Sequence, residues 1–333
     1  MTTESPSESS LTPAFQAAPP KRPSNGIFLG PDGLRSGWSL LLYVSFFFLI
    51  EYAAQSAVAV LGGFAINPRS PQFVALADLL SFGSAYAAAL VMAKLERRSA
   101  EVYGLPLGQA LGKPFWQGIF LGLGEVSLLV GLIVAFGGYS FGALALHGIA
   151  LPGWGGLWAL AFLLVGLSEE FMFRGYAQYT LARGIGFWRA AVCLSLLFGG
   201  VHLRNPGEGI VGAANVAVTG LVFAFALKRT GNLWLAVGWH ASFDFGETFL
   251  FSVPDSGYVF EHHLSNAALH GPAWLTGGTV GPEGSVFGFL TMGVSALAIH
   301  FLFPAKKEDA GNTSNAEVVS VDEFRGKGQP DSF

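Results

Sequence analysis

The sequence predicts an all-α fold, a polytopic transmembrane helix bundle of about eight spans. Three observations carry this. The apolar runs are long and continuous, without the alternation a membrane barrel requires. The chain is 52% hydrophobic and only 12% charged, about half the charge of a soluble domain. Lys and Arg fall on alternate sides of the expected spans, as positive-inside topology demands.

Residues 1–36 come first. They are rich in Ser, Thr and Pro and have no apolar core, so they read as a disordered cytosolic tail and not as a cleavable signal peptide. Apolar spans follow near 37–63, 74–92, 115–137, 154–182, 187–203, 209–227, 233–251 and 284–304. The fourth is longer than a bilayer needs. It is expected to tilt, to kink near Gly175 or to project from the membrane. Residues 305–333 are again polar and read as a second disordered tail. Each tail is shorter than the roughly 40 residues of an independent domain. One membrane domain, 37–304, is the economical count, with its motif core at 154–251.

Placing the N-terminus inside puts Lys21, Arg22 and Arg35 on that side, then Lys94, Arg97, Arg98 and Lys113. Arg174, Arg183 and Arg189 follow, then Lys228 and Arg229, and then Lys306, Lys307, Arg325 and Lys327. Only Arg69 and Arg204 fall outside, and the loop from Ser252 to Glu283 has neither Lys nor Arg. Both termini are therefore expected in the cytosol. Trp154, Trp188 and Trp234 sit near span ends, as interfacial aromatics do. A compact domain without an organelle signal suggests a prokaryotic plasma membrane. The net charge of −4 points to no nucleic-acid partner. Cys193 is the only cysteine, which excludes a disulfide framework within one chain and a cysteine-based zinc site.

Ionisable groups inside apolar spans persist mainly where they pair or do chemistry, since each costs roughly 2.5–3.5 kcal/mol on the insertion scale. Glu169, Glu170 and Arg174 lie in the fourth span, His202 ends the fifth, and His240 and Asp244 lie in the seventh. Glu170 and Arg174 share a helix face, whereas Glu169 points about 100° away. Arg174 is thus expected to steady Glu170 and leave Glu169 for a cavity, although the opposite assignment is open. Glu169 and His202 are nearly equidistant from the Gly184-Ile185-Gly186 turn, roughly 20–25 Å on either arm of a helical hairpin. Counted from Gly231, His240 lies roughly 13 Å deep and Asp244 roughly 20 Å deep. Three spans thus carry polar groups towards one layer.

Glu169-Glu170-x-x-x-Arg174, Phe198-x-x-x-His202 and His240-x-x-x-Asp244, in that order, resemble the type II CAAX prenyl protease and bacteriocin-processing family of intramembrane proteases. Tyr103-Gly104-Leu105 adds weaker upstream support. The resemblance implies peptide-bond hydrolysis in a membrane cavity, with the bilayer and a membrane-associated peptide or protein as partners. By position it implies Glu169 as the catalytic glutamate, His202 as its partner on water, and His240 and Asp244 as groups for the oxyanion or a metal. The family is described both as metal-dependent and as metal-independent, so zinc on Glu169, His202, His240 and Asp244 stays open. An ionised Asp244 only accepts hydrogen bonds and would orient His240 or ligate metal; a protonated one could donate.

Two other function classes compete. One is a non-catalytic bacteriocin-immunity or scaffold protein. The other is a proton-coupled transporter, although no internal repeat is evident. Phe198 reads as packing. Glu51, Asp78, Glu125 and Glu247 are left outside the core site, and His262, His263 and His270 as residues of an irregular loop. Gly138-Tyr139-Ser140-Phe141-Gly142 matches the letters of a nucleophile elbow but follows a helix, so a loop is expected. Gly118, Gly122 and Gly124 read as helix-packing positions.

Overall fold

The computed structural model describes residues 26–304 except 31–32 and 63–64. The two tails expected at 1–36 and 305–333 lie outside the described residues, apart from the first one's end. That end forms a unit of its own up to Arg35, where β1 (Leu29–Gly30) pairs antiparallel with β2 (Gly33–Leu34).

From Ser36 onward the chain is helical. The helices are α1 (Ser36–Val60), α2 (Pro71–Glu96), α3 (Lys113–Ala135), α4 (Ala150–Arg174), α5 (Tyr176–Ile185) and α6 (Phe187–His202). Then come α7 (Ile210–Thr230), α8 (Trp234–Phe245), the single turn α9 (Ala273–Thr276) and α10 (Val286–Leu302). A π-helical stretch, Gly246–Leu250, continues α8. Two residues each form β3 (Tyr139–Ser140) and β4 (Ala268–Leu269), which pair antiparallel. The chain is an all-α polytopic bundle.

Each of the eight apolar stretches contains a helix among the described residues. Five helical stretches among the described residues have the length and composition to cross a membrane, counting α4 with α5 as one. The helices α6 and α10 are apolar but shorter. The overlong fourth stretch breaks at Gly175, whose ψ of −116° interrupts the helix between α4 and α5.

Local chemistry explains the other ends. Ser70 accepts the Phe73 N–H at 3.3 Å, and Pro71 follows in the first turn where its missing donor is harmless. Gly231 closes α7 with a φ of 66°, a conformation that suits glycine. The Asn232 side chain then accepts the Trp234 N–H at 2.8 Å and starts α8. Tyr103-Gly104-Leu105 meets the same corner, because the Gly104 carbonyl accepts the Leu233 N–H at 2.7 Å. Tyr103 is buried there against Tyr176, with ring centroids 5.0 Å apart.

Helix α3 packs along α8 more extensively than any other helix pair among the described residues. Glycine makes that approach possible. A Cβ at Gly118 would run into the Leu235 carbonyl, one at Gly122 into Ser242 Oγ and the Trp239 carbonyl, and one at Gly238 into the Phe115 carbonyl. Gly124, by contrast, faces open space and is not a packing contact. Gly122→Ala is therefore expected to destabilise the bundle by about 1–3 kcal/mol through overpacking. Gly124→Ala should leave it unchanged or slightly more stable, since Ala is the better helix former. Thermal unfolding of the two variants in detergent checks the pair; equal midpoints would contradict the packing account.

Candidate active site

The three motifs arrive on α4, α6 and α8. Glu170 is 0% exposed and Arg174 2% exposed. Arg174 Nη1 donates to Glu170 Oε1 at 3.1 Å, the neighbour contact that a four-residue helical spacing allows. The guanidinium also lies over the Phe198 ring, 4.3 Å from its centroid. Phe198 is thus a seat for Arg174 as well as packing. Gly220 of α7 leaves the space, since a Cβ there would press on Arg174 Nη2.

Glu170 holds more than Arg174. His240 Nδ1 lies 3.0 Å from the same Oε1. A carboxylate only accepts, so Nδ1 is the protonated nitrogen and Nε2 is directed elsewhere. Nε2 faces Glu169 Oε2 at 3.7 Å and Asp244 Oδ2 at 3.5 Å. The tandem glutamates therefore divide: Glu170 is locked between Arg174 and His240, whereas the Glu169 side chain is 28% exposed and lines a cavity.

That cavity has a volume of about 570 Å³. Glu169, His202, His240 and Asp244 all line it. His202 stands apart within it: among the described residues no hydrogen bond or ion pair joins it to Glu169. Its Nδ1 meets the Phe198 carbonyl at 2.8 Å, which fixes the proton on Nδ1 and leaves Nε2 as an acceptor.

Sequence reasoning set aside Asp78 and Glu125, yet both line this cavity. Asp78 of α2 lines it together with Ser168 and Glu169. Glu125 of α3 accepts Trp239 Nε1–H at 2.7 Å. The available signal was an acid in an apolar span; its direction depends on helix rotation. Glu51 instead takes Gln55 at 2.6 Å and Ser81 at 3.2 Å, in a local network.

Two more acids, Asp255 and Glu283, reach the cavity wall from the segment after α8. Burial, and then the neighbouring Asp255 charge, pushes the Glu283 carboxyl up to about 7. Burial, and then Asp244, pushes Asp255 well above the usual carboxylate range.

The donor chemistry of the motif residues fits zinc. Imidazole nitrogens and carboxylate oxygens are both zinc donors, and both Nδ1 atoms are engaged by an oxygen acceptor, leaving Nε2 for a metal. The side chains do not, however, close into a tight trio. Among the described residues the one such trio is Glu247, Asp255 and Glu283.

The remaining histidines have other partners. His262 stacks on Trp154 at 3.6 Å, and His263 bonds the Ser265 carbonyl at 2.7 Å. His270 lies 2.8 Å from Ser140 Oγ. Ser140 sits in β3, and no helix starts before Ala150, so the strand–turn–helix of a nucleophile elbow is not formed.

Residues 151–246 match the family described as Type II CAAX prenyl endopeptidase Rce1-like. Over this segment the chain is similar to the type II CAAX prenyl endopeptidases. The Rce1-like segment runs from the start of α4 to the first residue beyond α8, and so contains Glu169, Glu170, Arg174, His202, His240 and Asp244. The Rce1-like family is one of CAAX-type membrane proteases, which agrees with apolar helices surrounding an acid- and imidazole-lined chamber. No curated protein matches the chain.

Proposed function

We propose that this chain is an intramembrane endopeptidase that hydrolyses peptide bonds of membrane-associated or lipidated proteins. The observation that carries the reading is the single cavity lined by Glu169, His202, His240 and Asp244. Beside these polar groups, Val74, Phe162, Val165, Met172 and Phe173 give the chamber apolar wall against which a lipid-embedded substrate can lie.

In this reading Glu169 is the general base and His202 Nε2 orients the water. The water oxygen attacks the scissile carbonyl carbon while its proton passes to Glu169. The resulting oxyanion accepts from Nε2–H of a doubly protonated His240, whose orientation Glu170 and Arg174 hold. Collapse breaks the C–N bond, and Glu169 returns the proton to the leaving amine. Asp244 orients His240 from the other side. If zinc is bound, Glu169, His202, His240 and Asp244 are the residues to hold it, and it would supply Lewis-acid activation of the water. The positive-inside pattern supports cytosolic termini.

His202→Ala is expected to slow cleavage of a membrane-tethered reporter in vesicles by about 10²–10⁴-fold, the usual range for a lost acid–base partner. Wild-type cleavage in this variant would overturn the assignment. Proton-coupled uptake lost in the same variant, with no proteolysis in either protein, would favour transport instead. Chelation followed by zinc re-addition separates the two ways of activating water, because activity in rigorously metal-free protein would exclude the zinc route.

A further inference from the structure

We propose that Glu247, Asp255 and Glu283 bind one hard divalent cation of the calcium class, which ties the end of α8 to the α8–α10 connection and to the start of α10. One carboxylate oxygen from each lies within 4.8 Å of the others. They come from three places: the π-helical end of α8, the loop after it and the turn before α10.

Glu247 is the decisive member. It is 0% exposed, and neither Oε1 nor Oε2 has a side-chain or cationic partner among the described residues; only the Glu283 backbone N–H is directed at the carboxylate. A buried carboxylate without a charged or side-chain partner is costly unless something cationic or a proton satisfies it. The other two acids are already oriented by neutral donors. Thr248 Oγ1 donates to Asp255 Oδ2 at 3.1 Å, and the Ser256 N–H donates to Glu283 Oε1 at 2.7 Å. Such donors fix direction without neutralising charge, as outer partners of metal ligands do. The segment from Ser252 to Glu283 contains no Lys or Arg. No ion pair among the described residues includes any of the three acids.

The trio offers oxygen alone, without imidazole or thiolate, which suits calcium, magnesium or manganese better than zinc. Irregular segments that supply ligands from separate places suit the variable coordination of calcium better than the rigid octahedron of magnesium. Backbone carbonyls and water would complete the shell. The Rce1-like match ends at residue 246, one position before Glu247. None of the three acids has a role in the proposed peptidase chemistry, so the cation site can be tested without it. Because Asp255 and Glu283 also line the cavity, a bound cation would brace one end of that chamber.

The test uses the full chain in detergent, stripped with chelator and then given calcium alone. Equilibrium dialysis with radioactive calcium counts the ions, and a melting curve reads stability. One calcium per chain and a raised melting midpoint are expected. Glu247→Gln should weaken binding by at least about 100-fold, because even outer-shell partners of a metal cost about 10–100-fold when removed. The midpoint of that variant should no longer respond to calcium. If Glu247→Gln fails to fold, Glu283→Gln, at a half-buried position, reads the same loss. Glu101→Gln, an exposed acid elsewhere, should bind as the wild type does. No calcium binding by the wild-type chain at pH 7.5 would overturn the proposal in favour of protonated carboxyls. Binding unchanged by Glu247→Gln, Asp255→Asn and Glu283→Gln would also overturn it.

Discussion

Glu169→Gln is expected to reduce cleavage of a membrane-tethered reporter by about 10³-fold or more, with little change in melting midpoint. Gln keeps the shape of Glu but cannot take a proton from water. The size follows from the role. General-base catalysis alone contributes about 10²–10⁴-fold, and in the proposed mechanism the substituted amide would also misplace the attacking water. Stability should survive because Glu169 is partly exposed to the cavity and is not the carboxylate that receives Arg174. Glu170→Gln makes the contrast. It removes charge from a fully buried group that accepts from both Arg174 and His240, so it should lower stability as well as activity. Both variants are read by reporter cleavage in vesicles and by thermal unfolding. An active Glu169→Gln protein would sink the base assignment. Equal stability losses in the two variants would sink the proposed division between the glutamates.

The second large effect concerns Arg174. Arg174→Ala should destabilise the protein by about 3–5 kcal/mol, because it leaves Glu170 charged, buried and without its cation. Loss of the guanidinium from the Phe198 ring adds about 0.5–2 kcal/mol in the same direction. Activity should fall too, since Glu170 then holds His240 with one anchor fewer. Arg174→Lys restores charge but not the flat face that lies on Phe198, so it should recover only part of the stability. In the double variant Arg174→Ala, Glu170→Gln the loss should be smaller than the sum of the single losses, because removing both charges leaves neither stranded. Unfolding in graded denaturing detergent measures all four proteins. A loss below about 1 kcal/mol for Arg174→Ala would place the pair in a wetter setting than its burial implies.

Local spacing made part of this legible and hid the rest. The Glu170–Arg174 and His240–Asp244 contacts follow from the helical repeat, which sets residues four apart side by side whatever surrounds them. The His240–Glu170 contact joins residues 70 apart, and no repeat predicts it. Depth counting from the turns placed His202 at the level of Glu169. Depth does not set rotation, and His202 shares the cavity wall with Glu169 without bonding to it. Asp78 and Glu125 were visible as acids in apolar spans, but whether such an acid meets a cavity or a local partner depends on how its helix is turned. Glu51 shows the other outcome. Gly118, Gly122 and Gly124 look alike in sequence, yet only the first two meet α8.

The sequence by itself determined that this chain is a helical membrane protein, where its apolar stretches lie, and which polar motifs ride on them in which order. Those properties depend on hydropathy, chain punctuation and near-neighbour spacing, all of which are local. Only the tertiary structure decided that Glu170 braces His240, that acids of α2 and α3 enter the same chamber, and that Glu247 joins Asp255 and Glu283. These are matters of helix rotation and close approach. They are set by contacts between distant segments, such as the glycine-lined α3–α8 interface, and no local pattern encodes them.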